Sequence, residues 1–328
     1  GWWVDLMMKS IINIFLLISL SLLTQSCFNK KYLDYILIDW PKENTEKILG
    51  QATGIDVNSK NQIIVFHRAD RGWVEPMPGN NIQLPTIFVY DAYNGVLIKS
   101  FGVDEFIMPH GLSVDKNDNI WVTDVGAHQV KKFSENGELL LTLGNYRISG
   151  NDEKHFGMPT DIAFDSQGDI YISDGYLNSR IIKYTNEGIF LNQWGSKGDS
   201  PGEFDLPHGI TIDKNDNIYV ADRSNSRIQI FNSNGDFINE ISGKEFGRPY
   251  GLSILESKLV VIDGGNQPYD TKSRVVIIDL INNSYIGEFD ASLASDTKNL
   301  GHDIAVVDNM IFTADVWLNK IRKFVYNK

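Results

Sequence analysis

Cysteine is almost absent: Cys27 stands alone among 328 residues, so no internal disulfide can staple the fold. Basic residues are outnumbered, with 30 Lys and Arg against 42 Asp and Glu, for a formal net charge of −12. A chain this acidic has no cationic surplus to neutralise phosphates, which argues against nucleic acid as a partner. No glycine-rich phosphate loop and no G-x-S-x-G elbow occurs, so nucleotide and serine-hydrolase readings find no support. The acidic stretch DKNDN appears twice. Its first copy has Ile120 where a calcium-binding EF-hand loop needs glycine, and it lacks the closing glutamate, so it reads as a hairpin turn.

Long apolar runs are equally scarce, and the one present lies near the start. MMKSIINIFLLISLSLLTQSC opens at Met7 or Met8, carries Lys9 as its charged end, stays apolar to about Leu23, and reaches the small Ser26 before Cys27. That pattern is a signal peptide. Cys27 resembles the lipidated cysteine of a bacterial lipobox, although Thr24 and Gln25 are looser than usual. The expectation is an exported protein, held at a membrane by a lipid or released from it. Residues 1–6 read as upstream read-through, 1–27 as the targeting segment, and 28–48 as a linker carrying one strand.

What the rest of the chain does have is repetition. MPHGLSVDKNDNIWVTD at 108–124 returns as LPHGITIDKNDNIYVAD at 206–222, and aligned copies begin at Thr53, His110, Thr160, His208, Tyr250 and His302. Successive starts lie 57, 50, 48, 42 and 52 residues apart. Each unit reads as several short strands, as in GITID, IYVAD, RIQIF and DFINEI, which is the signature of propeller blades. The consensus resembles NHL repeats. The expected fold is all-β, a six-bladed propeller over 49–328. Its last blade stops after a third strand, IRKFVYN, so YILIDW from the N-terminal linker is expected to close the ring and remove its open edges. Asp124, Asp174, Asp222, Asp263 and Asp315 recur where second strands end, and five copies at one repeat position point to turn architecture.

The first residue of the repeat does not simply recur. In order it is Thr53, His110, Thr160, His208, Tyr250 and His302, so histidine occupies every second blade. Alternate blades of a six-fold ring are a third of a turn apart, so three imidazoles converge on the axis. Three neutral imidazoles with one side open suit a catalytic zinc. Pro109 and Pro207, just before two of them, fix φ at the strand entrance. His67, His128 and His155 fall elsewhere in the repeat and read as structural.

FHRAD, WVTDVGAHQVKKF, HFGMPTDIAF, ISDGYLNSRI, QWGSKGDSPGEFDLPHGI, VADRSNSRIQIF and GHDIAV together resemble the successive motifs of the peptidyl-α-hydroxyglycine α-amidating lyases, over residues 49–328. The resemblance implies a propeller that splits a peptidyl-hydroxyglycine into a peptide amide and glyoxylate, with a catalytic zinc and a structural calcium. It implies zinc on His110, His208 and His302. It implies calcium on the carbonyls of Ile55 and Leu112 and the carboxylate of Asp303, although Asp161 in repeat three fills the same slot. It implies catalytic roles for Tyr176, Arg68 and Arg223: a tyrosine lowered by zinc and arginine to take the hydroxyl proton, and guanidinium forks for the substrate carboxylate. Without the resemblance these three would read as ordinary loop residues.

The chain departs from the family in two places. Gly157 and Leu177 stand where animal members place one disulfide, so loop rigidity is expected to come from packing. Leu300 and Gly301 replace a Met-Pro pair before His302, softening that histidine's support and one substrate contact. No copper monooxygenase stretch precedes the propeller in these residues, so hydroxyglycine is expected to come from elsewhere. The whole reads as a monomeric metal-dependent carbon–nitrogen lyase acting on a small or peptidic carbinolamide. The alternatives are a non-catalytic NHL propeller binding a protein or peptide on its top face, or a calcium-dependent lactonase-like hydrolase. The latter would want carboxylates at the axis, where this inner ring is expected to offer mainly His and Thr.

Overall fold

The computed structural model of the chain describes residues 31–42, 47–243, 247–265 and 272–327. The targeting segment and Cys27 lie outside the described residues. Six four-stranded antiparallel sheets follow one another within the unit Leu33–Lys328. Their innermost strands are Ala52–Val57, Pro109–Val114, Pro159–Phe164, Pro207–Ile212, Pro249–Leu255 and Gly301–Val307, so each begins at or next to a repeat start.

Burial explains why these segments are strands in this order. The second strands Ile120–Asp124, Ile170–Asp174 and Ile218–Asp222 are buried along their whole length, because each is covered on both faces by neighbouring blades. The outermost strands, such as Leu139–Leu143 and Phe190–Trp194, instead alternate between exposed and half-buried residues. Blade-to-blade packing supplies the core. One apolar cluster fills each interface, for example Phe66, Phe106, Leu112, Val122 and Phe133 between blades one and two. Each fully buried side chain of this kind contributes roughly 1.5–3 kcal/mol.

The ring closes as the sequence suggests. Tyr35–Ile38 pairs antiparallel with Lys320–Tyr326, with Tyr35 opposite Tyr326 and Ile38 opposite Lys323, and so becomes the fourth strand of the last blade. Ala52, Val65 and Phe88 of blade one then pack on Ala305, Phe312 and Ile321 of blade six, the interface that joins the two ends of the chain.

The DKNDN turn has a second role that its sequence does not reveal. Asp115 accepts from the amides of Asn117 and Asn119, which shapes the turn. Asp118, at φ 61°, aims its carboxylate at blade one, where the amide and hydroxyl of Ser59 donate to it at 2.8 and 2.6 Å. Asp216 does the same with Ser166 at 2.8 and 2.7 Å. The turn is a peg between blades.

The recurring aspartates close the opposite ends of the same hairpins. Asp124 accepts from the amides of Ile107 and Met108, just before Pro109, and from Gly126 and Ala127 just after its own strand. Asp263 likewise takes Gly247, Arg248 and Gly265. Each therefore pins the loop that feeds an innermost strand, and so fixes where the first residue of the repeat enters the axis.

Candidate metal centre and active site

His110, His208 and His302 meet at the axis. Each offers one ring nitrogen, and the three nitrogens lie within 4.8 Å of one another. The rings stand edge to face at centroid separations of 4.5 to 4.9 Å, and all three residues are buried. Their tautomers follow from what holds them. Each Nδ1 sits against a backbone carbonyl of the next blade: Thr160 at 2.7 Å, Tyr250 at 2.9 Å and Thr53 at 2.7 Å. A carbonyl only accepts, so Nδ1 carries the proton and Nε2 is left bare toward the axis. The odd-numbered blades thus supply the carbonyls that orient the histidines of the even ones.

At His110 and His208 a following glycine leaves room for the carbonyl, whereas Asp303 follows His302 and Nδ1 there still lies 2.7 Å from the Thr53 carbonyl. A Cβ at Gly111 would lie 2.3 Å from the Thr160 oxygen, and one at Gly209 would lie 2.3 Å from the Tyr250 oxygen. The His-Gly pair is therefore one device: the first residue points to the axis and the second lets the partner carbonyl close in.

Electrostatics suit a metal. Burial holds His302 down at about 3 and pushes His110 and His208 well below the usual imidazole range, with mutual repulsion and the nearby arginines adding to it. Neutral imidazoles are what a divalent ion requires. The Nε2 of His208 is buried with no hydrogen-bond partner, a costly arrangement unless something binds there. A tetrahedral zinc site would want nitrogens about 3.4 Å apart, within about 1.4 Å of the separations found here. The site is compatible with a metal.

The structure also brings together the three residues that only the resemblance had singled out. The Tyr176 hydroxyl lies 3.1 Å from Nε2 of His110 and donates to it, since that nitrogen carries no proton. Arg68 is buried, with Nε donating to the Pro109 carbonyl at 3.0 Å and Nη1 to Gln51 at 2.6 Å. Burial lowers its pKa to about 10, with Tyr176 and Asp124 opposing, so it stays charged at neutral pH. Arg223 starts a short 3-10 turn after its strand, with its guanidinium carbon 4.9 Å from the Tyr250 ring centroid and 5.7 Å from that of Tyr176. Tyr176 also lines two cavities of about 500 and 390 Å³.

Ile55, Leu112 and Asp303 line one cavity of about 190 Å³. Asp303 accepts from the amides of Ile55 and Ile304, each at 2.8 Å. Asp161, which sequence reasoning noted only as filling the slot of Asp303 in repeat three, lines the same cavity, as does Asp56. Burial raises Asp161 to about 8 and Asp56 to about 6, and lifts Asp303 well above the carboxylate range with Asp161 adding to it. One oxygen of Asp161, Oδ1, is buried without a partner. The expectation that the inner ring is mainly His and Thr therefore needs correction. It describes the first repeat position only, and carboxylates from the positions that follow it line a second axial cavity.

Two further expectations are revised. Leu177 is 60% exposed, so packing does not tie its loop down. Its amide donates to the Gly157 carbonyl at 2.9 Å, and Asn178 bonds Gly150 and Asp174: hydrogen bonds do the joining. Gly301 does not simply soften support for His302. Its amide donates to Ser273 Oγ at 2.8 Å, which a proline cannot do, and Ile262 fills the space a Cβ would need. Sequence reasoning also missed Gln51, which accepts from both Arg68 and the Trp73 amide, and Trp73, whose ring lies 5.3 Å from that of Tyr176. The remaining histidines are structural: His67 accepts from Gly50 and Ala69, His128 from Met158, and His155 pairs with Asp152.

Comparisons with known proteins agree with this architecture. The NHL repeat model matches residues 106–133, 156–184 and 204–231. The chain is 36% identical over 311 residues to Xenopus laevis peptidyl-glycine alpha-amidating monooxygenase B, covering 88% of this chain and 35% of that protein. It thus spans about a third of that relative's length. A Caenorhabditis elegans protein, "Probable peptidyl-alpha-hydroxyglycine alpha-amidating lyase pgal-1", is 34% identical over 258 residues, covering 72% of this chain and 73% of that one. A streptogramin B lyase structure superposes with TM-score 0.57 over 92% of this chain and all of its own, at 16% identity, which speaks for the fold alone. Similarity to the lyase extends over most of both chains, well beyond the shared repeat, and this protein belongs to the peptidyl-α-hydroxyglycine α-amidating lyases.

Proposed function

We propose that the protein cleaves a C-terminal α-hydroxyglycine to a peptide amide and glyoxylate, with zinc on His110, His208 and His302. The observation that carries this reading is the phenol of Tyr176 on the axis-facing nitrogen of His110, beside two arginines. Zinc in such a site supplies Lewis-acid polarisation of the substrate hydroxyl. The phenol of Tyr176 would be displaced from Nε2 of His110 by a metal on that nitrogen; ionised, Tyr176 would take the hydroxyl proton as the carbon–nitrogen bond breaks and the departing amide nitrogen gains one, so no proton is consumed overall. Arg68 and Arg223 hold the carboxylate that becomes that of glyoxylate. Trp73, Met108, Val125 and Met158 pack around the Tyr176 ring and fix its position.

Calcium belongs to the second cavity, on the carbonyls of Ile55 and Leu112 and the carboxylate of Asp303, with Asp161 as a further oxygen donor. Its role there is structural, since it offsets charge between inner strands. Export goes with this reading, as does attachment to a membrane by a lipid on Cys27. Among the described residues no helix is long and apolar enough to cross one.

The purified protein should carry about one zinc per chain and release glyoxylate from a hydroxyglycine-terminated peptide. His208→Ala should lose the zinc and the activity together. Tyr176→Phe should keep the zinc and lose about 10²–10⁴-fold in kcat. Zinc without glyoxylate release would remove the lyase reading and leave the metal site. Metal content unchanged by His208→Ala, with no turnover, would favour a binding propeller.

A further inference from the structure

Tyr250 is the exception among the odd-numbered repeat starts. Thr53 and Thr160 are small, and their hydroxyls donate to nearby carbonyls. Tyr250 instead places a whole aromatic ring, 5% exposed, beside the histidines, with centroids 5.0 Å from His208 and 5.7 Å from His302. Room has been made for it. A Cβ at Gly264 would come within 2.6 Å of the Tyr250 ring and 2.9 Å of Leu300.

The other face of this ring meets Arg223. That guanidinium lies 4.9 Å from the Tyr250 centroid and 5.7 Å from the Tyr176 centroid, so two aromatic faces bracket it. Among the described residues no carboxylate is paired with it, and its Nε is buried without a partner. Arg180, Arg227 and Arg274 start third strands and each pairs with a buried aspartate, whereas Arg223 sits just past the end of a second strand, in the turn Arg223–Asn225. Arg223 has been left uncompensated at the one place where neutral histidines await a cation. A fork held flat between two rings, charged and unpaired, is built to receive an anion of fixed orientation.

We propose that Tyr250 is a positioning residue for substrate recognition: its ring holds the Arg223 guanidinium in the plane that accepts the substrate carboxylate, while its backbone carbonyl orients His208. The inference rests on the lyase reading for the identity of that carboxylate. It concerns the ring face and not the phenol oxygen, so phenylalanine should serve in its place.

The test uses the zinc-loaded full chain and two substrates, a benzoyl-hydroxyglycine with a free carboxylate and the same compound as its carboxamide. Glyoxylate binding is titrated calorimetrically as a readout independent of turnover. Tyr250→Leu should raise KM for the carboxylate substrate and Kd for glyoxylate about 10-fold, with kcat within about threefold and the carboxamide unaffected. Tyr250→Phe should restore both constants to within about twofold. Equal losses on carboxylate and carboxamide would overturn the proposal, because the ring would then be supporting the histidines alone. So would a Phe variant as poor as Leu, loss of zinc in Tyr250→Leu, or a wild-type chain that binds no glyoxylate. A wild-type chain that binds glyoxylate in a Tyr250-dependent way yet turns over neither substrate would remove the lyase reading and leave the Tyr250 assignment standing.

Discussion

At the scale of single residues, His67 shows how burial sets a pH limit apart from the three-histidine site. Its Nδ1 accepts from Gly50 at 3.3 Å and Ala69 at 3.0 Å, its ring meets Phe88 edge-on at 4.2 Å, and burial lowers its pKa from 6.5 to about 3. The folded protein therefore keeps it neutral where an unfolded chain would protonate it. Its contribution to stability is whole above pH 6.5 and is lost as pH falls from there toward 3, with a slope of up to about 1.4 kcal/mol per pH unit. Urea unfolding at several pH values should show His67→Gln less stable than wild type at pH 7.5 but flatter across this window. An unchanged slope would mean that His67 does not titrate on unfolding. This residue also marks a boundary of what the sequence reveals. Its place outside the repeat phase said that it was no metal ligand, whereas its partners are main-chain amides, which carry no letter in the sequence. The same holds at the axis. The alternation of histidine was legible, but the carbonyls of Thr53, Thr160 and Tyr250 that orient those histidines were not, since any residue type offers one.

At the scale of elements, the closing strand is the piece on which the ring depends. Its pairing with Lys320–Tyr326 could be foreseen, because the last blade lacked a strand and YILI was spare. Its anchoring could not be foreseen, because it depends on side chains brought together from opposite ends of the chain. Tyr35 stacks on Phe289 of the fifth blade at 4.3 Å and 17°, so one strand at the N-terminal end binds two blades. Tyr35→Ala should cost about 1–3 kcal/mol of stability, scaled down from a full core deletion because the residue is only half-buried. Ile36 points outward and is 46% exposed, and Ile36→Ser should stay within about 0.5 kcal/mol of wild type. Chemical denaturation of the two variants side by side decides it. Equal effects would mean that the strand contributes through backbone pairing alone. The Asp118 and Asp216 pegs belong to this scale too. They join blade two to blade one and blade four to blade three, which gives DKNDN a reason to recur in those two blades that is independent of metal binding.

At the scale of the whole molecule, one axis carries two kinds of chemistry, each drawn from blades far apart in sequence. Six interfaces place the repeat starts in a ring. The first position of the repeat then gathers nitrogen donors, and the positions after it gather oxygen donors. Three carboxylates lining one cavity, with no basic side chain among the described residues that line it, oppose folding unless a cation or protons offset them, so a calcium bound there as proposed would tie ring stability to its occupancy. With zinc retained, removal of calcium by a selective chelator should lower Tm, and calcium at about 100 times its Kd should restore roughly 2.7 kcal/mol, or about 4–5 °C for a domain of this size. Asp303→Asn and Asp161→Asn should each abolish that calcium-dependent shift while leaving zinc content unchanged. Their calcium-free Tm should rise or hold, because a buried charge has been removed from a crowded cavity. A shift that survives in Asp161→Asn but not in Asp303→Asn would confine the ion to the carboxylate that the resemblance implied, and Asp161 would then be a neutral acid filling the place of a glycine. Loss of the shift in both variants would make the carboxylates of blades three and six, half a turn apart, the two ends of one bond across the axis, and would show that the ring is held at its centre as well as at its seam.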